Sequence, residues 1–240
     1  AIKGRRADLF LTSKVSGADH SAQHIQQALD SALKSLGTDY IDLYQLHSPQ
    51  PKWPIQETMS HLLQHRDAGK IRYIGVSNFS PDQIAEATKH GPVHSSQPRY
   101  SMLFRDEGQT SLPFCLKNGI GVMAFSPMAK GLLSGQYKPG HVFPPDDERH
   151  SWPFFQGEEF ARIYAFTEKL KVWAADHGRD LSQLAIAWTL AHPAVTTSIV
   201  GARTPEQSRH NARAGDWQLT PRDLREIDEL QGSLRLSFRS

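Results

Sequence analysis

Six times along these 240 residues a short apolar run ends abruptly in polar or breaking residues, and a helix-like segment follows. Strands joined by connections of that length cannot form hairpins; they need crossovers, so the sheet is parallel and helices cover it. The fullest of these runs is Tyr40-Ile41-Asp42-Leu43-Tyr44-Gln45-Leu46-His47-Ser48-Pro49. Its large apolar side chains with little polar alternation read as a strand buried on both faces, stopped at His47, Ser48 and the breaker Pro49. Further strands are expected at Leu9 to Lys14, Ile71 to Asn78, within His94 to Ser101, at Gly121 to Pro127 and at Thr197 to Gly201, all doubly buried.

The intervening helices carry their own punctuation. Ser21 caps a helix whose Ile25, Ala28, Leu29, Ala32, Leu33 and Leu36 follow one face, and Gly37 ends it. Helices are expected from about Pro54 to Ala68, Glu107 to Asn118, Glu159 to His177 and Ser182 to Ala191. Ser80-Pro81-Asp82-Gln83 and Thr204-Pro205-Glu206-Gln207 each join a capping hydroxyl, a first-turn proline and a glutamine able to reach back, and Thr220-Pro221 opens the terminal helix. From Gln136 to about Glu158, prolines and aromatics occur without a period; a connection so long predicts an unstructured lid over a site.

A chain of this length with 38% apolar residues can bury one core, and we expect a single domain over residues 1–240. A formal charge of +2 leaves no basic stripe for nucleic acid or an anionic membrane. One cysteine, Cys115, excludes an internal disulfide framework and fits a reducing compartment; the histidines lack metal-ligand spacing, so no metal is expected. No apolar run approaches the roughly 20 residues that cross a bilayer, which predicts a cytoplasmic protein.

The strand ends then become informative. Lys14, His47 and Asn78 lie 33 and 31 residues apart, about one strand-helix unit each, so successive units deliver a cation, an imidazole and an amide to one rim. Gln97, Ser126 and Arg203 follow from later strands. In parallel α/β folds that rim is where ligands bind.

Leu9 to Lys14 (LFLTSK), Tyr40 to His47 (YIDLYQLH), Ile71 to Phe79 (IRYIGVSNF), Gln97 to Ser101 (QPRYS), Phe125 to Leu133 (FSPMAKGLL) and Val200 to Asn211 (VGARTPEQSRHN) together resemble the aldo-keto reductase family, from end to end and in order. The resemblance implies a TIM (β/α)8-type barrel, NADPH bound without a Gly-rich Rossmann loop, and reduction of a small-molecule aldehyde or ketone to an alcohol. It gives Lys14 and His47 two positions of the catalytic tetrad. An ammonium stabilises a neighbouring phenolate, and an imidazole can donate to a carbonyl oxygen. Ser77, Asn78 and Gln97 are implied to hold the nicotinamide carboxamide, and Phe125 to stack on its ring. Ser126, Pro127, Met128, Lys130, Gly131 and Leu133 are implied to wrap the pyrophosphate; Gly201, Arg203, Gln207 and Asn211 fall at the adenosine end, with Arg203 suited to a 2′-phosphate. His210 stands where many members carry a glutamate, so its contact with adenine is open.

The family pattern also places an aspartate and a proton-donating tyrosine upstream of the lysine strand. No tyrosine precedes Lys14, and six strands are found where the barrel has eight. We therefore expect the first two strands, with a DTAxxYG-like segment, to precede Ala1 in the complete protein. The alternative to a reductase is a cofactor-sensing or regulatory subunit of the same fold with little turnover, although sensing alone needs neither Lys14 nor His47. Trp53, Phe79, Trp152, Phe154 and Phe155 either line an aromatic substrate pocket or pack the rim loops; substrate and oligomeric state have no signature in the sequence.

Overall fold

Each predicted strand forms in the computed structural model, which describes residues 2–232 and 234. They are β1 (Thr12–Val15), β2 (Ile41–Leu46), β3 (Ile71–Ser77), β4 (Ser95–Gln97), β5 (Gly121–Phe125) and β6 (Val195–Ile199), ordered in the sheet as in the chain. The registers from β1 through β5 are parallel. Between and after them run α1 (Ala22–Leu36), α2 (Ile55–Asp67), α3 (Pro81–His90), α4 (Ser111–Lys117), α5 (Gly157–Asp176), α6 (Leu181–Leu190), α7 (Pro205–Ala212) and α8 (Pro221–Gln231). The chain gathers into two compact units, Ala1–Pro98 with Thr110–Met123, and Arg99–Gln109 with Ala124–Ser240.

In the first unit the core follows the expected periodicity. Ile25 and Leu29 of α1, Met59 and Leu62 of α2, and Ile84 and Ala87 of α3 are fully buried. The caps act as their residue types require: Ser21 accepts from the His24 N–H, and Ser80 and Gln83 close a reciprocal capping box. Every residue of β2 is buried, including two polar ones. Asp42 is held by Arg6 at 2.7 Å, Arg72 at 2.9 Å and the Leu11 N–H at 2.9 Å. Both guanidiniums also lie over the Tyr40 ring, at 3.7 and 4.0 Å from its centroid. Burial would push the Asp42 carboxyl up, but the Leu11 N–H and the two arginines outweigh it and hold it below the carboxylate range.

Double burial holds along β2 and β4 but not elsewhere: β3 exposes Arg72 and Tyr73, β5 alternates buried with half-buried positions, and the two strands that end the sheet order are the least covered. β1 is exposed at Thr12 and half-buried at Ser13 and Lys14; β6 is exposed at Thr196, Thr197 and Ile199. An outermost strand has a neighbour on one flank only, so its side chains reach solvent. The helix expected over residues 107–118 divides into a 3-10 turn, Asp106–Gln109, and α4, which starts four residues later than expected.

In the second unit the long connection has, as expected, no helix or strand beyond one 3-10 turn, but it is packed rather than loose. Residues 136–156 carry a small aromatic core: Phe143 and Phe155 are buried, their ring centroids 4.7 Å apart, and Tyr137 packs on both at 5.0 and 5.7 Å. Trp152 and Phe154 meet edge to face at 5.1 Å, and Pro153–Phe155 form a 3-10 turn. Rings can cluster in any order along a chain, so this packing has no period. α5 and α6 bring Phe160, Ile163, Leu170, Leu184 and Ile186 into the unit's interior.

Candidate active site

Register builds the site in the first unit. Lys14, Gln45, Gly75, Ser95 and Gly121 fall into one cross-strand row of the parallel ladder. Ser95 Oγ donates to Gln45 Oε1 at 3.2 Å inside it. The row closes tightly: a Cβ on Gly75 would lie 2.4 Å from Ser95 Oγ and 2.9 Å from Gln45 Cγ, so only glycine fits between them. One pleat further on stand Ser77, paired in register with Gln97, and His47, whose N–H extends the ladder to Val15 O at 3.1 Å.

These tip residues form a continuous hydrogen-bonded set. Lys14 Nζ donates to Gln97 Oε1 at 2.7 Å, and Ser77 Oγ donates to Gln97 O at 2.8 Å. Asn78 Nδ2 lies 3.0 Å from His47 O and 3.3 Å from Ser77 Oγ, donating to both. Asn78 takes a left-handed backbone, φ 59°, which its short amide tolerates better than most side chains. On the other side of His47, Ser16 Oγ and the imidazole Nδ1 are 2.9 Å apart. Burial lowers the Lys14 ammonium's pKa from the usual lysine value. Lys14, His47, Ser77, Asn78 and Gln97 are thus brought together within one unit. Tyr44, though in the His47 strand, is fully buried with no partner for its hydroxyl, and burial raises its phenol above the ordinary range, which disqualifies it as a proton donor.

The remaining predicted residues lie in the second unit. After β5 the backbone turns left-handed at Ser126, Ala129 and Lys130, and again at Gly131. Within this loop the Ala129 N–H donates to Ser126 O, and those of Gly131 and Leu133 to Met128 O. A turn through left-handed residues is one kind of backbone that can offer an anion a concave face. A Cβ on Gly131 would come within 2.8 Å of the Tyr137 ring. Phe125 is half-buried, its carbonyl taking the Tyr100 N–H; Pro127 and Leu133 are buried. Lys130 pairs with Glu148 at 2.8 Å.

Met128, Gly131, Gly201, Arg203, Gln207, His210 and Asn211 line one cavity of about 680 Å³. Arg203 is exposed, and its N–H donates to Gln207 Oε1 at 2.7 Å, so Gln207 reaches one residue further back than a capping box would. Asn211 Nδ2 donates to Gly201 O at 3.3 Å. His210 Nε2 sits 2.6 Å from Asp180, which also caps α6 through the Gln183 N–H. Burial pushes the Asp180 carboxyl up; Ser182, the Gln183 N–H and the charge of His210 reverse this and lower it.

The cavity also takes Ser134, Gln136, Tyr137, Arg149, Asp180 and Ser182, none of which the sequence singled out. Arg149 forks onto Asp147 and donates to the Tyr137 hydroxyl at 2.9 Å, which raises its pKa and lowers that of Asp147. Only Asp180 had a readable signal, as the cap residue of Asp180-Leu181-Ser182-Gln183. Among the described residues no cluster of potential metal ligands occurs, and no helix is long and apolar enough to cross a membrane.

A parallel α/β sheet with polar groups at its strand tips, and a second set around an anion-suited loop, defines the class. The profile of the Aldo/keto reductase family matches residues 1–231, and the chain belongs to that family. Its fold class is α/β, six βα units of the (β/α)8 barrel type. The chain is 35% identical over 207 residues to the aldo-keto reductase YhdN of Bacillus subtilis, covering 86% of this chain and 62% of the relative. With the NADH-specific methylglyoxal reductase of Escherichia coli the identity is 33% over 217 residues, covering 89% and 66%. The solved glycerol dehydrogenase AKR11B4 of Gluconobacter oxydans superposes with a TM-score of 0.85 at 29% identity, covering 92% of this chain and 68% of that one. The chain therefore spans less than two thirds of the length of the first of these relatives.

Proposed function

We propose that this chain is the catalytic domain of a cytoplasmic oxidoreductase that reduces an aldehyde or ketone to an alcohol with NADPH. The observation that carries the proposal is the hydrogen-bonded set at the strand tips, in which Lys14 and His47 are held by Gln97, Asn78 and Ser16. A merely structural strand end needs no half-buried ammonium in the same hydrogen-bonded set as a histidine.

The residues present fit a nicotinamide cofactor. The left-handed loop at Ser126 to Gly131 suits a pyrophosphate, and the cavity with Arg203, Gln207, Asn211 and Gly201 has the donor set for an adenosine bearing a phosphate. The bound cofactor supplies the hydride. Ser77, Asn78 and Gln97 are assigned to orient the nicotinamide carboxamide, and Phe125 to flank its ring. His47 donates to the substrate carbonyl oxygen and polarises it. Lys14 holds positive charge beside the developing alkoxide and lowers the barrier to its protonation. On the family pattern that proton comes from a tyrosine before the lysine strand; residues 1–13 hold none. Arg203, exposed just ahead of the Thr204 cap, supports NADPH over NADH, since a guanidinium and a helix N-terminus both favour a 2′-phosphate.

His47→Ala tests the proposal. Turnover of an aldehyde should fall while the rise of NADPH fluorescence on binding persists. Unchanged behaviour would instead support the sensing subunit.

A further inference from the structure

We propose that Ser16 is a positioning residue for His47: its hydroxyl donates to Nδ1, which keeps the single ring proton of the neutral imidazole on Nε2. The inference rests on the carbonyl-reduction reading, because it explains how His47 is kept as a donor.

The register makes the pair unavoidable. Lys14 lies opposite Gln45 and Val15 opposite Leu46, and the His47 N–H continues the ladder to Val15 O. With a side-chain period of two, Ser16 and His47 emerge on the face that carries Lys14 and Gln45, as cross-strand neighbours. Their polar atoms meet at 2.9 Å.

Both partners are fixed from behind. The Ser16 carbonyl takes the His24 Nε2–H at 2.9 Å, from the first turn of α1. Two residues on, the Ala18 carbonyl takes the Trp53 indole N–H at 3.1 Å. Opposite, Asn78 Nδ2 holds the His47 carbonyl. The hydroxyl is therefore presented to Nδ1 by a braced loop. A neutral imidazole has one N–H, and the hydrogen bond at one nitrogen decides where it sits. Ser16 thereby does for His47 what a carboxylate or carbonyl does for other histidines, but with the opposite polarity: it gives a proton to the bond and frees Nε2 to donate.

The test reads the tautomer directly. ¹⁵N-edited spectra of the histidine side chains, at a pH where the imidazoles are neutral, are compared for wild type, Ser16→Ala and Ser16→Thr, with His47→Ala identifying the His47 signals. Wild type should show the Nε2–H form, Ser16→Ala a mixture of tautomers, and Ser16→Thr the wild-type pattern. In parallel, kcat should fall roughly tenfold in Ser16→Ala with KM for NADPH unchanged, and recover in Ser16→Thr. A proton on Nδ1 in wild type, or His47 signals identical in Ser16→Ala and wild type, overturns the assignment whatever turnover does. A tautomer change in Ser16→Ala combined with wild-type turnover in His47→Ala overturns the carbonyl-reduction reading and leaves the Ser16 assignment standing.

Discussion

The two units secure their polar groups by different means. In the first, Lys14, His47, Ser77, Asn78 and Gln97 sit on adjacent strands and bond to one another or to each other's carbonyls. In the second, the side chains around the cavity stand on loops and on α7, and charged groups in and near it already have local partners: Arg149 with Asp147, Asp180 with the His210 ring, and Lys130 with Glu148. A registered ladder fixes side-chain positions to the pleat, so its polar groups are preorganised without a ligand. Loop-borne ion pairs are exchangeable, and a ligand must displace or recruit them. The first arrangement suits groups that act on a reacting atom; the second suits groups that grip an anion.

The sharpest way to break this contrast is to remove a charge from the ladder. Lys14→Met should lower kcat by about 10²- to 10⁴-fold while cofactor affinity, measured by fluorescence titration, stays near wild type. Equal losses in both would show that the strand tips grip the cofactor as much as they catalyse.

Stability separates the regions next. Asp42→Asn leaves Arg6 and Arg72 around a neutral amide, and should cost about 3 kcal/mol by denaturant unfolding at neutral pH. Because the folded state depresses the Asp42 pKa, its contribution is complete above the unfolded carboxyl value of about 4 and is lost as the pH falls through the folded one. The gap between wild type and Asp42→Asn should therefore narrow in acid. Gly75→Ala, forced against Ser95 and Gln45, should cost about 1–3 kcal/mol and move the midpoint without changing the slope.

The same division governs what could be read from the sequence. The apolar run ending in Pro49 marked the β2 tip, and Ser80, Thr204 and Thr220 marked helix starts that each hold an N–H as expected. Those signals are local. Asp42 and Gln45 were hidden inside an apparently apolar strand because their partners, Arg6, Arg72 and Ser95, lie 30 to 50 residues away. The Ser16–His47 contact was equally silent, since it depends on the pairing register of two strands. The ring packing within residues 136–156 was silent in the sequence because ring clustering has no period, and with it Tyr137 and Arg149 as cavity residues.

Smaller effects are expected in the second unit. Arg203→Ala should weaken NADPH binding by about 10- to 100-fold, the loss of one charge-assisted contact, and leave NADH binding unchanged. Equal loss for both cofactors would remove the 2′-phosphate from its assignment. Glu148→Gln should change least. Glu148 is 72% exposed and its partner Lys130 32%, so the pair contributes under about 1 kcal/mol to stability. Yet the variant releases an ammonium beside the left-handed loop at the moment an anion needs it, and cofactor affinity should rise by a few fold, more at low salt than at high. Affinity unaltered at both salt concentrations would mean that Lys130 stays over the Trp152 ring, 5.0 Å from its centroid, and that the loop holds its anion through the backbone alone.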